Sequence, residues 1–347
     1  MTDQTGQPVL QTMIEDMRAA DRLYWPSPYW ETLIEDQLKA LDEQGLEHFK
    51  RTLNMQYFSW SLRWIVVFLI WPVLLRGWRQ VDMRLFAADA DFHRPARGAR
   101  SRIENRLYGF YIAILNRVVA QDDPLGLLRR LDEPQAGDPI VVRDRGRIRS
   151  QDLPNSVHEL YSALADRGTT DAPIHVMELG AGYGRVGFAC LEALPSCSYT
   201  VIDIPPTLYV AQSYLSQLYG DARVFHFRPF SSYEEIKEEF EAARIRFVAA
   251  HQISMLPDNS VDVFLNISSL HEMTIEQITH YLQQADRLTD GHMYTKQWLK
   301  SRAPGNEFRI GEHDYPIPDS WSTVYHVRHP FQPRFFHALY RVPATSR

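Results

Sequence analysis

One short stretch of the sequence combines an acidic residue with three glycines at alternate positions: Glu178, Gly180, Gly182 and Gly184. Glycines permit a tight turn and a close approach of a ligand to the backbone, because they carry no side chain. Where such a turn leads from a strand into a helix, free N–H groups and the helix N-terminus offer hydrogen-bond donors to a ligand. The pattern therefore predicts a binding loop, with a strand-to-helix turn that binds nothing as the alternative.

The glycine spacing discriminates between nucleotide-binding loops. A dinucleotide-binding loop needs Gly-x-Gly-x-x-Gly, and its third glycine position is occupied here by Arg185. The spacing therefore disfavours a nicotinamide-dependent oxidoreductase.

A second carboxylate, Asp203, ends the predicted strand Tyr199–Ile202 and lies 23 residues after Gly180. At that distance a carboxylate can accept hydrogen bonds from both hydroxyls of a ribose. For Asp203 alone, a turn or cap aspartate is the alternative. Together with Glu178 and the glycines, Asp203 favours a nucleoside-binding site.

His271 and Glu272 follow the predicted strand Val263–Ile267. The carboxyl ends of parallel strands face the ligand crevice, and a histidine with a pKa near neutrality is a common proton acceptor. We therefore interpret His271 as a candidate general base and Glu272 as its orienting partner or a substrate contact. The alternative is that His271 only shapes the pocket.

The elements that must position these residues alternate between strand and helix from Ile174 onward, which predicts a largely parallel sheet. A final antiparallel pair is predicted over Trp321–Val327 and Phe335–Val342. The predicted fold is thus α/β, with a Rossmann-like sheet preceded by an α-helical N-terminal domain. The predicted domains are residues 1–130 (helical, acceptor-binding or lid), 131–150 (linker and short hairpin) and 151–347 (cofactor-binding).

Composition limits the function classes. The chain has 347 residues, which favours two domains, and its net charge of −6 disfavours a nucleic-acid partner. Two cysteines form no disulfide framework, and the polar N-terminus lacks the pattern of a signal peptide, so we expect a cytoplasmic location. His326 and His329 lack a third ligand at suitable spacing, so no metal site is predicted.

An apolar run, Trp64–Leu75, is too short for a membrane span, which needs about 20 residues. We favour a buried helix, with an interfacial anchor or an apolar substrate pocket as alternatives. Arginines alternate through the predicted hairpin at positions 143, 145, 147 and 149. We favour a solvated hairpin edge over a site for an anionic substrate group.

The glycine stretch and Asp203 resemble motif I of the class I S-adenosylmethionine-dependent methyltransferases. Over most of its length, the chain is similar to the bacterial sugar O-methyltransferase family. The blocks that carry this similarity are Tyr29-Trp30, Phe49–Phe58, Asn155–Glu159, the glycine stretch, Tyr199–Pro205, His251–Met273 (HQISMLPDNSVDVFLNISSLHEM) and Tyr294–Trp298 (YTKQW).

The resemblance implies methyl transfer from S-adenosylmethionine, with Glu178 near the methionine amino group and His251 and Gln252 near the adenine. The expected cofactor-binding residues are Glu178, Gly180, Ala181, Gly182, Gly184, Asp203, Ile204, His251, Gln252 and Asn266. The expected catalytic residues are His271 and Glu272, and the expected substrate-binding residues at the fifth-strand end are Tyr294, Lys296 and Trp298.

The acceptor is expected to be a small molecule, with O-methylation of a sugar or another secondary metabolite as the first hypothesis. The alternatives are methylation of a nitrogen or a carboxylate, and a methyltransferase-fold binding or scaffold protein without catalysis. Aromatic residues of the N-terminal half also permit a more apolar acceptor than a bare sugar. No stable membrane span is expected, and a homo-oligomer is compatible with the sequence.

Overall fold

The computed structural model describes residues 6–52, 73–74, 76, 102–144, 146–169, 171–301 and 309–344. Its contacts divide the chain into two compact units. The first unit comprises Met1–Leu38, Tyr161–His329 and Arg334–Arg347, and the second comprises Lys39–Leu160 and Pro330–Pro333. The units thus group the first 38 residues with the later part of the chain, and the predicted boundaries at residues 130 and 150 stay a prediction.

The helices alternate with the strands in the later part of the chain, as the sequence pattern predicts. The described helices are α1 Gly6–Ala19, α2 Pro28–Gln44, α3 Phe49–Thr52, α4 Arg102–Val119, α5 Leu127–Arg130, α6 Asp152–Ala163, α7 Arg185–Ala193, α8 Thr207–Tyr219, α9 Lys237–Ala242 and α10 Ile275–Leu288. Short 3-10 turns cover Arg22–Tyr24, Ala120–Asp122, Tyr233–Glu235, Ala250–Met255 and Leu270–Glu272.

The first unit is built on a sheet that has eight strands within the described residues, in the order β11-β12-β8-β7-β3-β4-β6-β5. The strands of this sheet are β3 Ile174–Leu179, β4 Cys197–Asp203, β5 Val224–Phe225, β6 Ile245–Ala249, β7 Val261–Ile267, β8 Thr289–Trp298, β11 Ser322–Arg328 and β12 Phe335–Val342. β3 to β8 are parallel, whereas β12 pairs antiparallel with both β8 and β11. The predicted α/β fold with a final antiparallel strand pair is confirmed.

The central strands are apolar along nearly their whole length because helices cover both faces of the sheet. In β3, β6 and β7 almost every side chain is buried. The strand order reverses at β3: β4 and β6 lie on one side, β7 and β8 on the other. In such a sheet, ligands bind outside the carboxyl ends of the strands at this switch point.

The N-terminal segment of the first unit packs on α10. Gln277 donates from Nε2 to the carbonyl oxygens of Leu23 (3.1 Å) and Trp25 (2.8 Å). The Tyr24 ring makes edge contacts with His280 and Tyr281. Residues 23–25 are therefore fixed to the helix that follows the predicted catalytic turn.

The second unit is helical around a short hairpin, in which β1 Val142–Asp144 pairs with β2 Arg147–Arg149. The hairpin lies where the sequence predicts it, and helix is the main element of the described N-terminal residues, as predicted. Arg149 is buried and donates to the Leu131 carbonyl, and Arg147 pairs with Asp132. These two arginines therefore serve the fold and do not form an open basic face; Arg145 lies outside the described residues.

A small strand pair in the first unit, β9 Lys300–Ser301 with β10 Ile310–Gly311, extends the end of β8. The apolar run Trp64–Leu75 lies outside the described residues except for Val73 and Leu74, so its role stays a prediction. Among the described residues, no helix has the length and apolar character needed to cross a membrane.

Candidate active site

The glycine loop follows β3 at the switch point. Gly180, Gly182 and Gly184 have φ angles of +72°, +60° and +85°, the left-handed region that other residues seldom adopt. The Gly180 N–H donates to the Ile202 carbonyl oxygen at 2.8 Å, and the Gly184 N–H donates to that of Ala181 at 3.1 Å. The loop is thus held to the end of β4.

The three glycines differ in what surrounds them. A Cβ added to Gly180 would lie 2.2 Å from Oγ of Ser269, and one added to Gly184 would lie 2.9 Å from Leu215. A Cβ added to Gly182 would meet no described atom within 4 Å. Gly180 and Gly184 are therefore required by protein packing, whereas the space beside Gly182 is open to a ligand.

Asp203, the last residue of β4, binds the glycine loop through its carboxylate. Its Oδ2 accepts the Gly182 N–H at 3.0 Å, and its Oδ1 accepts the Ile204 N–H at 2.8 Å. Burial raises the pKa of this carboxyl to about 7, although both backbone hydrogen bonds act in the opposite direction. Each oxygen keeps lone-pair capacity for a further donor, such as a hydroxyl.

Glu178 is buried at the end of β3 and accepts a hydrogen bond from the Tyr199 hydroxyl. Burial, followed by the neighbouring Glu178 carboxylate, raises the pKa of Tyr199 well above its usual range, so the phenol stays a donor. The motif's acidic residue is therefore oriented by a side chain of the next strand.

His251 and Gln252 lie in the turn after β6, at the same edge of the sheet. Both polar atoms of the Gln252 amide have a partner within the protein: Oε1 accepts the Ala249 N–H and Nε2 donates to the Arg228 carbonyl. His251 contacts Asp16 of α1 through Nε2 at 2.9 Å, while its buried Nδ1 has no hydrogen-bond partner among the described residues. Of the two side chains, His251 is thus the one with an unused polar atom.

Asn266 near the end of β7 is fully buried. Its Nδ2 donates to the Leu179 carbonyl at 2.9 Å, and its Oδ1 accepts from the Leu270 N–H and from Gln297 Nε2. These bonds connect three elements: β3, β8 and the turn that follows β7. Its predicted contact with a cofactor stays a prediction.

His271 and Glu272 lie in the 3-10 turn after β7, and both are buried. The Gln297 side-chain oxygen lies 2.8 Å from His271 Nδ1, so Nδ1 carries the proton and Nε2 has a lone pair. Glu272 Oε1 lies 3.4 Å from that Nε2. Burial lowers the pKa of His271 to about 3, so its imidazole is neutral near pH 7, and burial raises the pKa of Glu272 well above its usual range.

The N-terminal segment holds Glu272 by its side chain and its backbone. Trp30 Nε1 donates to Glu272 Oε2 at 2.9 Å, and the Ser27 hydroxyl donates to the Glu272 carbonyl at 2.6 Å. Both donors come from the start of α2 and the residue before it. The turn that carries His271 and Glu272 is therefore fixed by residues near the start of the sequence.

The three residues predicted at the end of β8 differ in exposure. Trp298 is 41% exposed and stacks on the His271 ring, with a centroid distance of 4.7 Å. Tyr294 and Lys296 are buried deeper along the strand; the Tyr294 hydroxyl lies 3.4 Å from His337 Nδ1, and the Lys296 ammonium lies over the Phe335 ring. Of the three, Trp298 stacks on His271, and the charge of Lys296 contributes, after burial, to the lowered pKa of His271.

Sequence reasoning missed the residues that orient the predicted ones. Gln297 holds His271, Trp30 holds Glu272, and Asp16 holds His251. Because side chains alternate between the two faces of a strand, the sequence analysis selected Lys296 and Trp298, on either side of Gln297. No local sequence pattern marks Asp16. Trp30 and Gln297 both stand in blocks that carry the family resemblance, which was the available signal for them. Among the described residues, no group of three His, Cys, Asp or Glu side chains could hold a metal ion.

Comparison with known proteins gives similarity of fold. No protein-family model matches the sequence, and no curated protein matches it significantly. A Burkholderia thailandensis 1,6-didemethyltoxoflavin N1-methyltransferase, solved with 1,6-didemethyltoxoflavin and S-adenosylhomocysteine, is similar at a TM-score of 0.36 and 20% identity, over 54% of this chain and 78% of that chain.

Two further solved structures are similar to a comparable degree. The mitomycin 7-O-methyltransferase has a TM-score of 0.36 and 13% identity, over 54% of this chain and 53% of that chain. The (4+2)-cyclase SpnF has a TM-score of 0.37 and 13% identity, over 55% of this chain and 83% of that chain. At these identities and TM-scores, neither the reaction nor the acceptor follows from the likeness.

Proposed function

We propose that this chain is an S-adenosylmethionine-dependent methyltransferase that methylates an oxygen of a small-molecule acceptor. The proposal rests on one arrangement: Asp203 at the end of β4 accepts the N–H of Gly182, in a glycine loop that contacts the turn carrying His271. A ribose-binding carboxylate, an open glycine backbone and a candidate base thus share one edge of the sheet.

The residues of this edge fit the cofactor on two observations. The space beside Gly182 is open, and Asp203 has unused lone pairs on both oxygens. His251, whose Nε2 contacts Asp16, is the proposed neighbour of the adenine. Glu178, Gly180, Ala181, Gly184 and Ile204 complete the proposed cofactor site, with Gln252 and Asn266 as its supports.

S-adenosylmethionine supplies a methyl group that its sulfonium already activates. The task of the protein is then to align the acceptor oxygen, exclude water and remove the proton that the oxygen loses. His271 Nε2 has the lone pair for that proton, and Glu272 Oε1, 3.4 Å from that nitrogen, is placed to orient the imidazole ring.

A second mechanism is favoured by the low pKa of His271, because a weakly basic imidazole removes protons poorly. In this mechanism His271 and Trp298 only align the acceptor, which must then be more acidic than a sugar hydroxyl. Trp298 is the proposed acceptor contact in both mechanisms because it is exposed and stacks on His271. Tyr294 and Lys296 support it from within the strand.

The experiment that tests the function is transfer of a labelled methyl group to a panel of acceptors: sugars, phenols, carboxylic acids and amines. Label in a hydroxyl compound, absent with Asp203→Ala, supports O-methylation. Label only in amines or carboxylic acids identifies the corresponding alternative. No transfer by a chain that binds the cofactor favours the scaffold alternative. A cytoplasmic location and a homo-oligomer stay predictions.

A further inference from the structure

A cavity of about 280 Å³ lies at the opposite edge of the sheet from the proposed cofactor site. His175, Ser198 and Arg246 line it, and they stand near the amino ends of β3, β4 and β6. Because these strands are parallel, their amino ends lie away from Gly182 and Asp203. The cavity exceeds the volume of a single water, about 30 Å³, several-fold, so it has room for a small organic molecule.

Arg246 is the buried cation of this cavity, with 8% of its surface exposed. Its Nη1 lies 3.1 Å from His175 Nε2, and its guanidinium lies 4.6 Å from the centre of the Phe240 ring. Its Nε is buried and has no hydrogen-bond partner among the described residues. A donor left unsatisfied in this way is costly, and so is a charge without a counter-ion.

The neighbouring imidazole supplies no counter-charge. His175 Nδ1 lies 2.7 Å from the Ser260 carbonyl oxygen, so Nδ1 carries the proton and Nε2 faces Arg246 as a neutral acceptor. Burial, and then the charge of Arg246, lowers the pKa of His175 to about 4. His175 is therefore uncharged at pH 7 and leaves the guanidinium charge unbalanced.

Other arginines of the first unit have carboxylate partners: Arg287 pairs with Asp258 at 2.6 Å, and Arg167 pairs with Asp262 at 3.1 Å. No described carboxylate lies within 4.0 Å of the nitrogens of Arg246. Glu241 lines the same cavity, but it is exposed and accepts a hydrogen bond from the Tyr233 hydroxyl at 3.1 Å. Arg246 thus differs from the other two in having no described carboxylate within 4.0 Å, and Glu241 acts on its charge only at longer range.

We propose that this cavity is a binding site for a small organic carboxylate, with Arg246 as its counter-ion. The planar guanidinium matches a carboxylate, to which the N–H groups on the cavity side of Arg246 donate. Met177, Phe240 and Leu256 provide an apolar wall for the body of the ligand. Because Arg246 is the cation of this cavity and the anionic Glu241 also lines it, the cavity favours a ligand with a single negative charge over inorganic phosphate. The site is separate from the cofactor site and independent of the proposed reaction.

Calorimetric titration of the full chain with benzoate tests this proposal, with benzyl alcohol as the uncharged analogue. We expect benzoate to bind at least about tenfold more tightly than benzyl alcohol, as a charge-assisted hydrogen bond requires. Arg246→Met should weaken benzoate binding by about the same factor. Arg223→Met, which removes an equal charge at an exposed position, should leave it unchanged.

Two further measurements keep the proposal testable if Arg246→Met does not fold. In the wild-type protein, the Nε–H resonance of Arg246 should shift on addition of benzoate. Glu241→Gln should strengthen benzoate binding, because it removes the repelling carboxylate of the cavity. Bound S-adenosylhomocysteine should leave benzoate binding unchanged. Equal affinities for benzoate and benzyl alcohol, no binding to the wild type, or an unmoved Arg246 resonance would overturn the proposal.

Discussion

At the scale of the single residue, the proposed role of Asp203 in cofactor binding depends on its protonation state. Burial raises its pKa to about 7, so the free protein holds a neutral carboxyl at lower pH. A neutral carboxyl accepts ribose hydrogen bonds less well than a carboxylate. We therefore expect the affinity for S-adenosylhomocysteine to fall as the pH is lowered below 7, by up to about tenfold per unit.

The effect of this residue on stability has the opposite sign. The folded state binds more protons than the unfolded state between about pH 4 and 7, so the contribution is largest below that window and is lost as the pH rises through it. Asp203→Asn should remove both pH dependences. Calorimetric titrations at several pH values check the first, and a pH-independent affinity of the wild type would contradict it.

Gly182 is the glycine of the loop at which an added side chain would enter the proposed cofactor site and meet no described atom within 4 Å. Gly182→Ala and Gly168→Ala both place a Cβ in open space at a positive φ, +60° and +75°, so each should cost roughly 1 kcal/mol of folding stability. Gly182→Ala alone should also weaken S-adenosylhomocysteine binding, because its methyl group enters the proposed site. Thermal unfolding and calorimetry on both variants check this; equal affinities would show that the space is not used.

His271→Ala should lower turnover by about 10²- to 10⁴-fold while leaving cofactor affinity within about twofold, as expected for loss of a general base. His313→Ala, at an exposed position, is the matched control. Because the pKa of His271 is lowered to about 3, its protonation should cause no loss of turnover at the ordinary histidine pKa. If the variant keeps full turnover, His271 is not the base.

At the scale of the elements, α10 begins with a reciprocal cap and is held to the N-terminal segment by one side chain. The Thr274 hydroxyl accepts the Gln277 N–H, the Gln277 side-chain oxygen accepts the Thr274 N–H, and Gln277 Nε2 donates to the carbonyls of Leu23 and Trp25. Gln277→Glu keeps the cap acceptor but leaves two carbonyls facing a carboxylate. We expect a loss of about 1–3 kcal/mol in the free energy of unfolding.

Urea unfolding measures this loss, with Gln283→Glu at an exposed position of the same helix as the control. Equal stabilities of the two variants would show that the N-terminal segment does not depend on Gln277.

These contacts also explain which elements could be predicted. Local periodicity and turn residues identified β3, β7 and β12, because each strand carries its own apolar pattern. The bond from Trp30 to Glu272 joins residues 242 positions apart, and no local pattern encodes such a pairing. The role of Gln297 could not be predicted for the same reason, because it depends on which strand lies next to β7.

At the scale of the whole molecule, the largely parallel sheet and its final antiparallel pair followed from the alternation of strands and helices and from the β-prone last segments. The grouping of residues 1–38 with the sheet did not, because a helical pattern records which face is buried but not against what. The candidate site was predictable where a motif fixes backbone geometry, as at Gly182 and Asp203. The side chains that support this site could be identified only from the folded structure.

The central claim, a cofactor site formed by the glycine loop and Asp203, is tested most directly by calorimetric titration of the full chain with S-adenosylhomocysteine at pH 8. We predict saturable binding to the wild type and no heat with NAD as the control ligand. Folded Asp203→Ala should bind S-adenosylhomocysteine at least about tenfold more weakly than the wild type. A folded wild type that does not bind S-adenosylhomocysteine, or an Asp203→Ala variant with an unaltered dissociation constant, would contradict the claim.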